Sequence, residues 1–306
     1  MVSRRGFVFV AVTALGTAVA GGVQQAAPPQ AYRTAVDFVH LPVVVLDRSG
    51  RPIGGLVASD FEIREGGEAR TVVTFAEGPP GEAVPLHLGL MLDKSESMEL
   101  DRDLSAAAAV RFVEAMSEAR DVTFVEFGAD VRMGRYEPAS YLQLFSRIRE
   151  TALAHQTALY DALGRYVETA TARPGQHILL VHTDGGDSGR GLNASDVRDL
   201  LRLGNVIVYV VGYLDNQGPN ERVRQRAVLT QLARETGGEA FFASNSKDVD
   251  RIYADIRAEI AARYTLGYVP AAPDRDARFR RVEVRLRHAR SDGARVRSRS
   301  GYIPRP

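Results

Sequence analysis

The chain of 306 residues has no cysteine. That one absence removes disulfides, thiolate metal sites, a cysteine nucleophile and a lipoprotein-type acylated cysteine, while leaving the compartment open. Lysine is almost missing too. Lys94 and Lys247 are the only two, so the basic residues are nearly all arginine, as a codon bias would produce. There is no excess of charge of either sign: 39 Lys and Arg stand against 38 Asp and Glu. No global field therefore argues for nucleic acid. No G-x-x-x-x-G-K-[ST] phosphate loop occurs, and no G-x-S-x-G elbow supplies a nucleophilic serine. The apolar run Phe7 to Val19 is too short and too rich in Gly, Ala and Thr to suit a membrane span.

What is present begins with that run. Arg4 and Arg5 precede it, and Ala18-Val19-Ala20 follows as an A-x-A site. A charged start, a short apolar core and small residues at a cleavage position predict an export signal over residues 1–20. The expected location is periplasmic, cell-surface or extracellular. "SRRGFVF" also resembles a bacterial twin-arginine signal. An uncleaved signal would instead tether the chain to a membrane. Residues 21–32, rich in Gly, Gln, Ala and Pro, predict a disordered lead-in.

The mature chain is long enough for one large domain or two modest ones. Residues 33–76 read as β: "VDFVHLPVVVLD" has strand composition, and "FEIREGGEARTVVTF" reads as a hairpin bent at Gly66-Gly67. Residues 77–85 form a Pro/Gly linker. From 86 to 263 buried strands such as "LHLGLML", "HILLVH" and "NVIVYVVGY" alternate with amphipathic helices. That alternation predicts an α/β fold with a Rossmann-like, doubly wound, mostly parallel sheet. Residues 264–304 return to β, with Val282, Val284 and Leu286 alternating against charged residues. Neither β segment is large enough to fold alone. The economical arrangement is one β-sandwich, made of 33–76 and 264–304, into which the α/β domain is inserted; the alternative is two separate appendages.

Ligands of open parallel sheets sit at the carboxyl ends of strands, where strand order reverses. Asp93 ends the first strand of the α/β block and is followed by Ser95 and Ser97. Asp184 ends "HILLVHTD", and Thr157 precedes a helix in "AHQTALYDAL". Two carboxylates and three hydroxyls can thus meet in one crevice. All are hard oxygen donors, which select Mg²⁺, Mn²⁺ or Ca²⁺ over zinc. So mixed a set leaves the ion electrophilic, with a position open for an anionic ligand.

Asp93-x-Ser95-x-Ser97, Thr157 and Asp184, in this order and strand context, resemble the metal-ion-dependent adhesion site of von Willebrand factor type A domains. The β segments on either side resemble the flanks of bacterial secreted proteins of that type. The resemblance implies a non-enzymatic module that binds proteins through a divalent metal. A partner's exposed Asp or Glu would complete the shell, and Asp184 would reach the ion directly or through water. It implies no nucleic-acid partner and says nothing of oligomeric state. The family often has glycine where this chain has Glu96, whose side chain is expected either in solvent or over the metal. Two rival readings stay open. One is a metal-dependent hydrolase with His155 or Glu96 as base; the other is a scaffold whose metal is purely structural.

Other residues have plainer expectations. Asp161 is placed to cap the helix after Thr157, and Asp187 with Gly185-Gly186 to shape the loop below the metal. His182 reads as a hydrogen-bonded core or supporting residue. The arginines of the tail, among them Arg281, Arg285, Arg297 and Arg299, read as a solvated sheet face rather than a grip for an anionic polymer.

Overall fold

A computed structural model describes residues 38–78, 84–150, 154–271, 278–287 and 293–304. The expected export signal and lead-in lie outside the described residues, as does the middle of the 77–85 linker. Among the described residues no helix is long and apolar enough to cross a membrane.

Strand β1 (Val39–Leu46) buries Leu41, Val43 and Val45 completely. The hairpin follows as β2 (Phe61–Glu65) and β3 (Glu68–Arg70). Its bend, Gly66-Gly67, has φ of 60° and 93°, the double positive φ that a two-residue type I′ turn requires. The second arm departs from expectation. β3 ends after three residues, and the chain crosses to another sheet as β4 (Thr74–Glu77).

The α/β part comprises β5 (Leu86–Asp93), α1 (Arg102–Ala115), β6 (Asp121–Phe127), β7 (Val131–Tyr136), α2 (Tyr141–Ile148), α3 (Leu159–Thr171), β8 (Gln176–Thr183), α4 (Ala194–Leu203), β9 (Val206–Gly212), α5 (Pro219–Glu235), β10 (Ala240–Phe242) and α6 (Ser246–Ala261). Capping residues set several starts. Asn193 accepts from the amides of Ser195 and Asp196 at 2.8 and 3.2 Å to open α4, and Asn245 accepts from Asp248 at 3.1 Å to open α6. Pro219 opens α5 at a position where a missing N–H costs nothing.

The sheet order is β10-β9-β8-β5-β6-β7. All neighbours are parallel except β6 and β7. β7 and α2 are not among the elements expected from the sequence: the strand is a half-exposed edge with Arg132 and Arg135, and the helix, though amphipathic, spans eight residues. β5 lies at the centre, every residue buried. Strand order reverses between β5 and β8, the position where an α/β sheet opens a crevice. One sheet face packs Leu88, Leu90 and Leu92 against α1 and α6, and the other packs Met91 and Val181 against α3, α4 and α5.

The chain ends with β11 (Tyr264–Tyr268), β12 (Arg280–Leu286), β13 (Arg295–Ser298) and β14 (Gly301–Tyr302). These strands complete two four-stranded sheets with the first four, in the orders β13-β1-β11-β4 and β14-β12-β2-β3. Leu41, Val43, Phe61, Ile63, Tyr264, Leu266, Val282 and Val284 share one core between the sheets. Burying each such side chain stabilises by roughly 1.5–3 kcal/mol relative to exposure, a gain that neither chain end obtains without the other. The last strand is broken in two, because the chain switches sheets at Arg299-Ser300.

The tail arginines divide. Arg281, Arg285 and Arg295 are exposed, as a solvated face requires. Arg297 and Arg299 correct that expectation. Arg297 bonds the carboxylates of Glu239, at 2.8 Å, and Glu259. Glu259 also accepts from the Tyr209 hydroxyl at 2.8 Å, and that oxygen accepts from Arg263 at 2.6 Å. Arg299, 8% exposed, donates to the carbonyls of Gly301 and Arg202. These two side chains tie β13 and its exit to α4, α6 and the segment leading into β10.

Candidate metal centre

β5 delivers Asp93 to the carboxyl edge of the sheet with only 3% of its surface exposed. The carboxylate is held at both oxygens. Oδ1 accepts from the Ser95 amide at 2.9 Å, and Oδ2 accepts from the Thr183 hydroxyl at 2.6 Å. The Gly185 amide donates to that hydroxyl at 3.0 Å, so its proton is free for Asp93. Burial pushes the Asp93 carboxyl up to about 7, against the hydrogen bonds from Ser95 and Thr183, and the charge of Asp184 adds to the rise.

Ser95 and Ser97 follow on a tight 3₁₀ turn pinned by the fully buried Met98. Their hydroxyl oxygens are 3.1 Å apart. Thr157, also buried, sits just before α3. Its amide donates to the Ser188 hydroxyl at 2.9 Å, and its carbonyl accepts from the Ser188 amide at 2.8 Å. Ala158 donates to Gly128 in the β6–β7 turn at 2.9 Å. Asp184, 4% exposed, accepts from the Gly186 amide at 3.3 Å, while its carbonyl takes the Gln217 side-chain amide at 2.7 Å. Gly185 makes this bend with φ of 88°.

Asp93, Ser95, Ser97 and Asp184 are thus gathered at the sheet's switch point, and Thr157 stands on the loop clamped beside them. Neither carboxylate has an ion-pair partner among the described residues, although Lys94 is adjacent in sequence. The Lys94 ammonium is engaged elsewhere, with the carbonyls of Ile148 and Glu150 at 3.3 and 2.7 Å. Two buried carboxylates without a cation, next to hydroxyl oxygens, are a donor set that a hard divalent ion fits. No cluster of three or more His, Cys, Asp or Glu able to hold a metal occurs among the described residues. Any ion here would therefore need the hydroxyls.

Glu96 takes the first of its two expected positions, in solvent. Its carboxylate lies 2.5 Å from His155 Nδ1, an exposed contact joining the serine loop to the Thr157 loop. The capping assignment is corrected. Asp187 accepts from the Tyr160 amide at 3.1 Å at the start of α3, whereas Asp161 accepts from Leu192 at 2.8 Å and steadies the loop after β8. His182 is fully buried, 2.9 Å from the hydroxyls of both Tyr213 and Tyr253. Burial holds it neutral, down to about 3, as a core histidine. An open groove of about 550 Å³ flanks the centre, lined by Lys94, Glu126, Asp130, Arg132 and His155 among others.

Thr183, Lys94 and Ser188 do not stand out in the sequence. Thr183 had one available signal: it is the residue of β8 that falls opposite Asp93, one step beyond the Leu92–His182 pair.

No protein-family model matches the chain, and no curated protein does. Solved structures do. The pilus adhesin SpaC from Lactobacillus rhamnosus GG, in an open conformation, is 8% identical with a TM-score of 0.50, over 78% of this chain and 47% of that one. Proximal thread matrix protein 1 from the mussel byssus is 14% identical with a TM-score of 0.46, over 60% and 49%. A von Willebrand factor type A structure from Catenulispora acidiphila is 13% identical with a TM-score of 0.44, over 87% and 73%. The aligned region spans about half the length of the first two. At these identities the likeness is one of fold. The α/β part is a six-stranded, mostly parallel sheet flanked by helices, an arrangement like that of von Willebrand factor type A structures, with antiparallel sheets in addition.

Proposed function

We propose that this chain is an exported, non-enzymatic binding module whose divalent cation, Mg²⁺ or else Mn²⁺ or Ca²⁺, is held by Asp93, Ser95, Ser97, Thr157 and Asp184. The observation that carries the reading is the buried, cation-free pair Asp93 and Asp184 at the strand-order reversal, bordered by serine hydroxyls. Asp93 is pre-oriented by Ser95 and Thr183, so it needs little rearrangement to bind. With only two carboxylates among five donors, the ion's charge is balanced but not exceeded, so it stays electrophilic and keeps an open position. A protein partner's Asp or Glu is the group suited to fill it. The groove beside Lys94 and His155 offers room for further residues of such a partner.

Binding rather than hydrolysis is favoured by the state of the candidate bases. Glu96 and His155 engage each other, and His182 is locked in the core. The N-terminal Arg4-Arg5, apolar run and A-x-A site would carry the protein out of the cytoplasm. Residues 33–76 and 264–304 are read as one split sandwich presenting the α/β domain. The test is capture of proteins from the host's own envelope with Mg²⁺ or with EDTA, using the wild type and Thr157→Ala. Mg²⁺-dependent capture that Thr157→Ala abolishes is expected. Capture that ignores both metal and mutation would refute the reading.

A further inference from the structure

Lys94 is the residue immediately after Asp93, it is 7% exposed, and all its polar groups are in use. Its amide donates to the Phe127 carbonyl at 2.8 Å, prolonging the pairing of β5 with β6. Its carbonyl accepts from the Ala154 amide at 2.9 Å. Its ammonium donates to Ile148 and Glu150, at the end of α2. The last carbonyls of a helix lack partners within it and form the negative end of its dipole, so a buried cation is well placed there. Two residues on, the Glu96 amide donates to the Ala154 carbonyl at 3.0 Å, closing a short parallel bridge between Ser95 and Ala154.

Three pieces of chain therefore meet at Lys94: the end of β5 with its serine loop, the end of β6, and the connection from α2 to Thr157. We propose that Lys94 is a positioning residue that fixes the separation of the Ser95–Ser97 loop from the Thr157 loop, and so sets the affinity of the centre for its cation. This rests on the metal-binding reading above. An apolar residue at this position would leave the buried Ile148 carbonyl unpaired and strip the ammonium from the Glu150 carbonyl, and the α2–α3 connection would lose its tie to the serine loop. The side chain needs both reach and charge. Groups that orient metal ligands without touching the ion typically change affinity by about 10- to 100-fold when removed.

The experiment titrates Mn²⁺ into the full mature chain and follows free ion by electron paramagnetic resonance. Lys94→Met is expected to weaken Mn²⁺ binding by about tenfold or more. Lys94→Arg, which keeps a cation within reach of the same carbonyls, should restore affinity to within about threefold of the wild type. Glu259→Gln, in the distant network at the base of α6, should lower the melting temperature yet leave Mn²⁺ affinity unchanged, separating positioning from general destabilisation. If Lys94→Met does not fold, Lys94→Gln replaces it with the same expected loss. Affinity in Lys94→Met or Lys94→Gln equal to that of a metal-binding wild type would overturn this inference alone, as would an arginine variant no better than methionine. A wild type that takes up no Mn²⁺ would remove the metal centre and this inference together.

Discussion

Replacing Asp93 by asparagine should make the metal-free protein more stable at pH 8 while removing its response to Mg²⁺. The carboxyl of Asp93 is pushed by burial from the ordinary 3.8 up to about 7. In the unfolded chain it ionises near its ordinary value. Folding therefore takes up a proton between those two values, and stability falls as pH rises from about 4 to about 7. Above pH 7 the folded protein carries an ionised, buried carboxylate. The difference between the two values corresponds to on the order of 4 kcal/mol. Asparagine is neutral, so that burden disappears. It costs something in return: its amide nitrogen cannot accept the Thr183 hydroxyl, which must turn round, a loss of about 1 kcal/mol.

The net expectation at pH 8 is a gain of about 1–3 kcal/mol in EDTA, read as a rise of several degrees in melting temperature for a domain of this size. At pH 5, where Asp93 is protonated in the fold but still ionised in the unfolded chain, the gain should shrink to about 1 kcal/mol or less. The wild type should regain stability from Mg²⁺ by about 2.7 kcal/mol at a hundredfold excess over its dissociation constant, whereas Asp93→Asn should not respond. Thermal unfolding at both pH values, with EDTA or Mg²⁺, gives all four quantities. A variant less stable than the wild type at pH 8 in EDTA, or one that keeps the Mg²⁺ shift, would refute the reasoning.

Other consequences can be measured separately. Glu96→Gly should leave Mg²⁺ binding intact and strengthen capture of an acidic partner, since it removes a carboxylate from the rim; weaker capture by calorimetry or surface binding would contradict this. Arg297→Met strips the cation from Glu259 and Glu239, and breaking such a buried pair should cost about 3–5 kcal/mol in denaturant unfolding without changing metal affinity. Export with cleavage after Ala20 should give a mature chain beginning at Gly21 in the native host, and Edman or mass analysis showing a retained Met1 would exclude it.

The proposed cation donors stand out in the sequence because the signal of three of them is local. Asp93, Ser95 and Ser97 occupy five consecutive positions at the end of an apolar strand, and the alternation of strands and helices places that end at the sheet edge. The strand order confirms the geometry: β5 and β8 are neighbours on either side of the reversal. Patterns that depend on exposure faded first. β7 and α2 are short and half solvated: the strand has no clean alternation, and α2 spaces Tyr141, Leu144, Phe145 and Ile148 as a helix does but over only eight residues. The tail arginines misled for the opposite reason. An alternating strand displays Arg297 in the same way whether the facing group is water or Glu259, and only the packing of β13 against α6 decides.

The residues that hold the donors in place were harder to read, and for one physical reason. Thr183 reaches Asp93 across the β5–β8 register. Asp187 caps α3 from the loop after β8, while Asp161, better placed in sequence for that role, bonds Leu192 in that same loop. Ser188 clamps Thr157 from the same distant loop. In each case donor and acceptor are far apart in the chain, so no spacing rule within one segment can identify them. Local rules name side chains that could cap, ligate or pair, but the fold chooses among them by which backbone groups it leaves unpaired nearby. Lys94 is the clearest instance. Its sequence neighbour is a buried carboxylate that lacks a cation, and elementary electrostatics would pair the two. The fold instead brings the carbonyl end of α2 within reach of the ammonium. That choice leaves the negative charge of Asp93 uncompensated by protein, which is the condition an electrophilic ion bound there requires.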